Sequence, residues 1–127
     1  MPPRPKDPAL RAAAEARGRF AEARAASRLA EDGWQVLDRR ARTAAGEIDM
    51  VAEREGLLAF IEVKARPTLA QAAFSLGPRQ RARLLAAAEL WLAAHPGHGS
   101  AGMRFDVVLL DAQGQMRRIA DAFRLGD

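Results

Sequence analysis

Apolar and polar positions follow two different periods along the chain, and each change of period marks an element. Residues 8 to 32 set Gly18, Ala25, Ala26 and Leu29 along one helical stripe, with Glu22 on the same line. This predicts a helix from Pro8 to about Asp32, weakened at Gly18 and stopped by Gly33 as its C′ residue. WQVLDRRAR predicts a short strand followed by a basic stretch. GEIDMVAE and LLAFIEVKA, the latter apolar through Leu58, Ala59, Phe60 and Ile61, then read as two strands on either side of the turn signal Arg54-Glu55-Gly56, the pattern of a hairpin. ARPTLAQAAFSLG predicts a loop or an ill-defined helical turn. From Pro78, placed where a first-turn proline belongs, PRQRARLLAAAELWLAAH reads as an amphipathic helix burying Leu84, Leu85, Ala88, Trp91 and Leu92. MRFDVVLLD is a further strand, QGQ a turn, and MRRIADAF a last strand or short helix. The order predicts an α/β domain, a mixed sheet flanked by helices.

Composition narrows the class. At 127 residues the chain has the length of one domain able to bury its own core. The expected organisation is a disordered arm over residues 1–8, which carry four prolines, and a single domain over 9–127. There is no cysteine, so thiol redox chemistry, disulfides and zinc ribbons are excluded, and a reducing cytoplasm suits the composition. The N-terminus has neither a signal-peptide core nor a membrane span, so no membrane partner is expected. A net charge of +4 and a pI near 10.9 favour a polyanion such as nucleic acid.

The chemistry concentrates between residues 46 and 66. Alternation puts Leu58, Phe60, Glu62 and Lys64 on one face of their strand, and Glu47, Asp49 and Val51 on one face of the preceding strand. If the hairpin closes through two or four residues, Asp49 falls on the side of Glu62. Two carboxylates about 4 Å apart repel by roughly 4 kcal/mol at an effective dielectric of about 20. They need a proton, a base or a cation between them. A divalent metal meets that need: Mg²⁺ or Mn²⁺ held by Asp49, Glu62 and the Val63 carbonyl would leave positions for water and a phosphodiester oxygen. Lys64 would face that water. Lysine occurs elsewhere in this arginine-rich chain only as Lys6, which suggests a requirement for an amine at 64.

Arg39, Arg40 and Arg42 precede the hairpin, and Arg66, Arg79, Arg81 and Arg83 follow it, a set able to clamp phosphates, with Arg42 and Arg66 the nearest in sequence to the carboxylates. Asp106 reads as a partner of Arg104 or as a support for the site. His95 and His98 flank Pro96-Gly97 with no cysteine nearby, an improbable zinc site. Trp34, Trp91, Phe60, Phe74, Phe105 and Phe123 lie in periodic apolar contexts and are expected in the core. No phosphate-binding glycine loop, dinucleotide fingerprint or serine-nucleophile motif is present.

Asp49, a hairpin turn and Glu62-Val63-Lys64 together resemble the PD-(D/E)xK nuclease superfamily. Gly18 with Ala21-Glu22, Gly46-Glu47-Ile48-Asp49, Phe60-Ile61-Glu62-Val63-Lys64 with Arg66, Arg104-Phe105-Asp106-Val107-Val108 and Ala122-Phe123 more narrowly resemble the YraN family, also called UPF0102. The resemblance spans about Gly18 to Phe123. It implies a restriction-endonuclease-like core similar to archaeal Holliday-junction resolvases, a metal site at Asp49, Glu62 and Lys64, and Glu22 as a further acidic residue near it. The chain departs from the family pattern at Arg40-Ala41, where an asparagine and an aromatic are expected, and at Gln80, where a lysine commonly stands. The expected nucleic-acid contacts are Arg39, Arg40, Arg42, Arg66, Arg79, Gln80 and Arg83.

The expected function is therefore a Mg²⁺- or Mn²⁺-dependent endonuclease cutting branched or single-stranded DNA, with no small-molecule cofactor. A homodimer is left open. The rival expectations are a nucleic-acid-binding module of the same fold without turnover, and an interaction scaffold.

Overall fold

The computed structural model describes residues 7–75 and 77–123, with the side chains of Phe74 and Phe123 outside the description. The first six residues of the expected arm also lie outside it; Asp7 caps the first helix by accepting a hydrogen bond from Ala9 N at 2.9 Å. The elements in chain order are α1 (Pro8–Glu31), β1 (Gln35–Thr43), β2 (Gly46–Arg54), β3 (Leu57–Ala65), α2 (Leu69–Phe74), α3 (Pro78–Ala94), β4 (Met103–Leu110) and β5 (Met116–Phe123). The five strands lie in sequence order in one sheet. β1, β2 and β3 form an antiparallel meander; β3 and β4 run parallel, joined across α2 and α3; β5 returns antiparallel to β4. Among the described residues no helix is long and apolar enough to cross a membrane.

The pattern reading places most boundaries correctly, and α3 begins at Pro78 as its first-turn position requires. Two readings change. The basic stretch Arg39 to Arg42 continues β1, because Arg39 pairs with Met50, Ala41 with Ile48 and Arg42 with Glu47. A two-residue turn, Ala44-Ala45, thus joins β1 to β2 as a second hairpin, tied by Thr43 Oγ1, which donates to Gly46 O at 2.6 Å and accepts from Ala45 N at 3.2 Å. The segment after β3, expected as a loop or uncertain turn, contains the six-residue α2, capped by Thr68. The final segment, left between strand and helix, is strand β5.

One apolar cluster fills each face of the sheet. Towards α1, Ala25 and Leu29 pack on Trp34, Met50, Ala52, Ala59, Ile61 and Val108. Towards α3, Leu84, Ala88 and Trp91 pack on Leu58, Phe60, Phe105 and Val107. Phe60 is the hub of the second layer, stacked with Phe105 at 5.7 Å and edge-on to Trp91 at 5.8 Å between centroids.

Asp106 belongs to the α1 side, level with Ile61, and is wholly buried. Its Oδ2 takes a 2.6 Å bond from Arg118, its Oδ1 sits 3.0 Å from Arg104 Nε, and it accepts the Asp121 N–H at 2.9 Å. Arg54, Arg104 and Arg118 all lie over the Trp34 ring, within 5.0 Å of its centroid. Asp106 therefore anchors β4 to β5 and takes no part in the carboxylate pair on the opposite face. Replacing it with alanine strands two guanidiniums, so Asp106→Ala is expected to destabilise the domain by about 3 kcal/mol or more in urea denaturation. An equally stable variant would remove this role.

Candidate functional site

The site forms where β2 and β3 leave their ladder. The hairpin turn is Glu55-Gly56, two residues long, with φ of 53° and 80°. Both are left-handed, as a primed hairpin turn requires, and glycine supplies the second without strain. Arg54 pairs with Leu57, Met50 with Ile61, and continuing that register one step brings Asp49 level with Glu62. The parity argument holds, since the loop is even.

Beyond Met50 a side chain takes over where the strands separate: Asp49 Oδ2 accepts the Val63 N–H at 2.8 Å. This fixes the acid against the Glu62-Val63-Lys64 segment. Glu62 is 4% exposed and Lys64 8%, unusual burial for charged residues. Lys64 Nζ lies 3.1 Å from Glu62 Oε1. Glu62 Oε2 has Arg83 at 3.8 Å, too far for a hydrogen bond, and no hydrogen-bond partner among the described residues.

The crowding shows in acidity. Burial, then the Glu62 charge, pushes the Asp49 carboxyl up from the usual carboxylate range to about 7, with Glu22 adding to the push while the Val63 N–H and Lys64 oppose it. Near neutral pH the pair thus holds a proton that a cation could replace. Asp49, whose Oδ2 already accepts the Val63 N–H, and Glu62, whose buried Oε2 makes no hydrogen bond, offer a donor set of the hard kind that Mg²⁺ or Mn²⁺ takes with water completing the shell. The described residues contain no group of three acidic, histidine or cysteine side chains arranged to hold a metal, so the fit is to a half-shell and not a closed cage.

Glu22 is buried on α1, on its predicted stripe, and is held by Arg40 Nε at 2.7 Å. That contact, chiefly a hydrogen bond to Glu22, raises the Arg40 pKa further. Arg40 reaches it from a left-handed backbone, φ 52°, an uncommon conformation for a long side chain and one that asparagine tolerates better. Arg83 donates to Glu47 O at 2.8 Å and crosses Gly46, where a Cβ would lie 2.8 Å from its Nη1. Gly46 leaves room for that guanidinium. Arg39, Arg42, Arg66 and Arg79 are exposed, while Gln80 is half-buried with its Oε1 unpartnered. Val63 enters through its N–H; its carbonyl as a ligand stays an expectation. His98 is tied to Glu53 and His95 to the Trp91 carbonyl, away from the carboxylates.

Pattern reading overlooked Phe20, an aromatic 60% exposed beside a groove that reaches Lys64. Its signal was available: it lies two residues from both Gly18 and Glu22, off the stripe that α1 buries.

A five-stranded mixed sheet between helices, with this acidic pair at the end of its central hairpin, defines an α/β domain with a restriction-endonuclease-like core. Comparison with known proteins gives the family. The family described as uncharacterised protein family UPF0102 matches residues 21–110. A UPF0102 protein of Granulibacter bethesdensis is 61% identical over 110 residues, covering 87% of this chain and 70% of its own. One from Azorhizobium caulinodans is 52% identical over 126 residues, covering 98% and 96%. One from Rhodopseudomonas palustris is 46% identical over 113 residues, covering 89% and 87%. The chain belongs to the UPF0102 family.

The raised acidity has a measurable consequence. Unfolded, Asp49 loses its proton near pH 4; folded, it keeps it to about pH 7, so stability falls as pH rises through that window and the whole penalty is present above it. Asp49→Asn keeps an acceptor for Val63 N–H without the charge. In metal-free buffer it should melt several degrees above the parent at about pH 8, with a smaller gain at about pH 5. A gain independent of pH, or none, would contradict the raised acidity.

Proposed function

We propose that the protein is a metal-dependent endonuclease that hydrolyses DNA phosphodiesters at Asp49, Glu62 and Lys64, with Mg²⁺ or Mn²⁺ bound between the two carboxylates. The observation that carries this reading is the buried pair itself: two acids forced together, one with an oxygen that makes no hydrogen bond, beside a buried amine in a basic chain. A bound divalent ion would supply charge neutralisation and a more acidic water. Asp49 Oδ1 and Glu62 Oε2 would hold it, with the Val63 carbonyl as a third donor. Val63 N–H keeps Asp49 turned towards Glu62. Lys64 would exchange its contact with Glu62 for the attacking water or a phosphate oxygen, offsetting negative charge as it develops on phosphorus. Glu22, through Arg40, sets the field around Asp49, and exposed Arg39, Arg42, Arg66 and Arg79 draw in the backbone.

A second reading has its own support. Glu62 already has Lys64 and Arg83 as cationic neighbours, a self-neutralised arrangement that suits a nucleic-acid-binding module without turnover.

Cleavage assays on duplex, single-stranded, flap and junction DNA with Mn²⁺ separate the two. Asp49→Ala, Glu62→Ala and Lys64→Ala are each expected to lower cleavage by about 100-fold or more while leaving DNA binding intact. Mn²⁺ binding, followed by calorimetry, should be lost in the two acid variants and retained in Lys64→Ala. Salt-sensitive binding with no cleavage by the parent on any substrate would favour the binding module. For the clamp, Arg66→Ala should weaken all DNA binding alike and flatten its salt dependence by about one unit of slope.

A further inference from the structure

We infer that the groove between α1 and the end of β3 is a stacking subsite for an unpaired nucleobase, with Phe20 as its platform. The groove has a volume of about 950 Å³ and is lined by Ala14, Arg17, Gly18 and Phe20 from α1 and by Val63, Lys64 and Arg66 from the β3 end, with Gly114 among the residues of its far wall. Its lining is mainly apolar and is edged by Arg17, Lys64 and Arg66, while the lining acid Asp111 has its Oδ1 taken by the Gln113 and Gln115 N–H groups; a ring for the base and positive charge for the phosphates are what single-stranded nucleic acid requires of a protein.

Three observations select this occupant. First, Phe20 is 60% exposed on a helix whose other large side chains are polar over the same turns. An exposed ring on such a face is available for stacking. Second, the groove is open beside Gly18, where an added Cβ would meet no atom within 4 Å. Third, the groove and the carboxylate pair share a wall, because Lys64 lines the one and holds Glu62 in the other. A strand whose phosphate reaches the carboxylates therefore has a neighbouring base beside the groove, and only an unpaired base can turn into it. This inference rests on the nuclease reading for the phosphate's position, and it deepens that reading by assigning unpaired DNA as the substrate class.

The test measures binding in EDTA, where cleavage does not intervene, by fluorescence polarisation of a labelled oligothymidylate and of a blunt duplex of equal length. Phe20→Ala removes the ring from an exposed helical position, and alanine favours helix, so the fold is retained. Gly18→Leu narrows the groove from a second position. Both are expected to weaken single-strand binding on the order of tenfold and to leave duplex binding unchanged. Phe20→Trp should keep the affinity, and because Trp34 and Trp91 are buried its exposed indole should be quenched by the oligonucleotide. Unchanged single-strand affinity in Phe20→Ala, or an equal loss on duplex, overturns the inference. So does a Phe20→Ala effect on sedimentation in place of affinity, which would make the groove a contact between copies. Asp49→Asn, run in parallel, should lose cleavage and keep binding; cleavage by the parent together with full binding by Phe20→Ala would sink the subsite and leave the nuclease standing.

Discussion

The register of one hairpin governs the site. With a two-residue turn at Glu55-Gly56, Asp49 and Glu62 arrive at the same level on neighbouring strands. Adding or removing one residue there would send the acids to opposite faces, since side chains alternate with period two. The apolar layers hold this register against the repulsion it creates. Val51, Phe60 and Met50, Ile61 are fully buried pairs immediately behind the acids, one pair in each apolar cluster, so a slip that separated the charges would expose large apolar side chains on both faces. Repulsion of a few kcal/mol cannot outweigh that loss.

Local features then adjust how the repulsion is borne. The Asp49 carboxylate is fixed by a main-chain N–H and its charge is reduced by protonation; Glu62 is balanced by Lys64 and, at longer range, Arg83. Glu22 adds a third negative charge and brings Arg40 with it, at the cost of a left-handed arginine. Strain of this sort persists where surrounding structure overrides it. Here β1 is paired with β2 on both sides of Arg40, at Arg39 and Ala41, and the Arg40–Glu22 contact is made from that left-handed backbone.

Much of this was legible in the sequence, because period-two alternation and an even turn are local rules. Asp49, Glu62 and Lys64 could be placed on one face before any coordinates, and the helical stripe exposed Glu22 as an acid among small buried residues. The length of β1 was not legible: four residues of which three are arginine carry no apolar alternation, and only the pairing of Arg39 and Ala41 with β2 makes them a strand. Arg83 looked like a phosphate contact because its proximity to Glu62 depends on how α3 lies across the sheet, a tertiary fact. The departure at Arg40 from the asparagine of the family pattern gains a physical meaning only with the backbone angle, since a left-handed position is where asparagine is at home.

The two faces of the sheet divide the labour in a way that bears on which rival reading the fold favours. Asp106, also a buried acid, is satisfied three times over by Arg118, Arg104 and the Asp121 N–H, as a carboxylate kept for stability should be. Glu62, equally deep and only one strand away, is left with an oxygen that makes no hydrogen bond, although arginine is the commonest cation in the chain and Arg83 lies close by. A purely structural role would close that gap at little cost, as the Asp106 cluster demonstrates within the same sheet. An incompletely satisfied buried acid beside a partly protonated one is expensive to fold around. The arrangement makes energetic sense where a ligand bearing positive charge completes it.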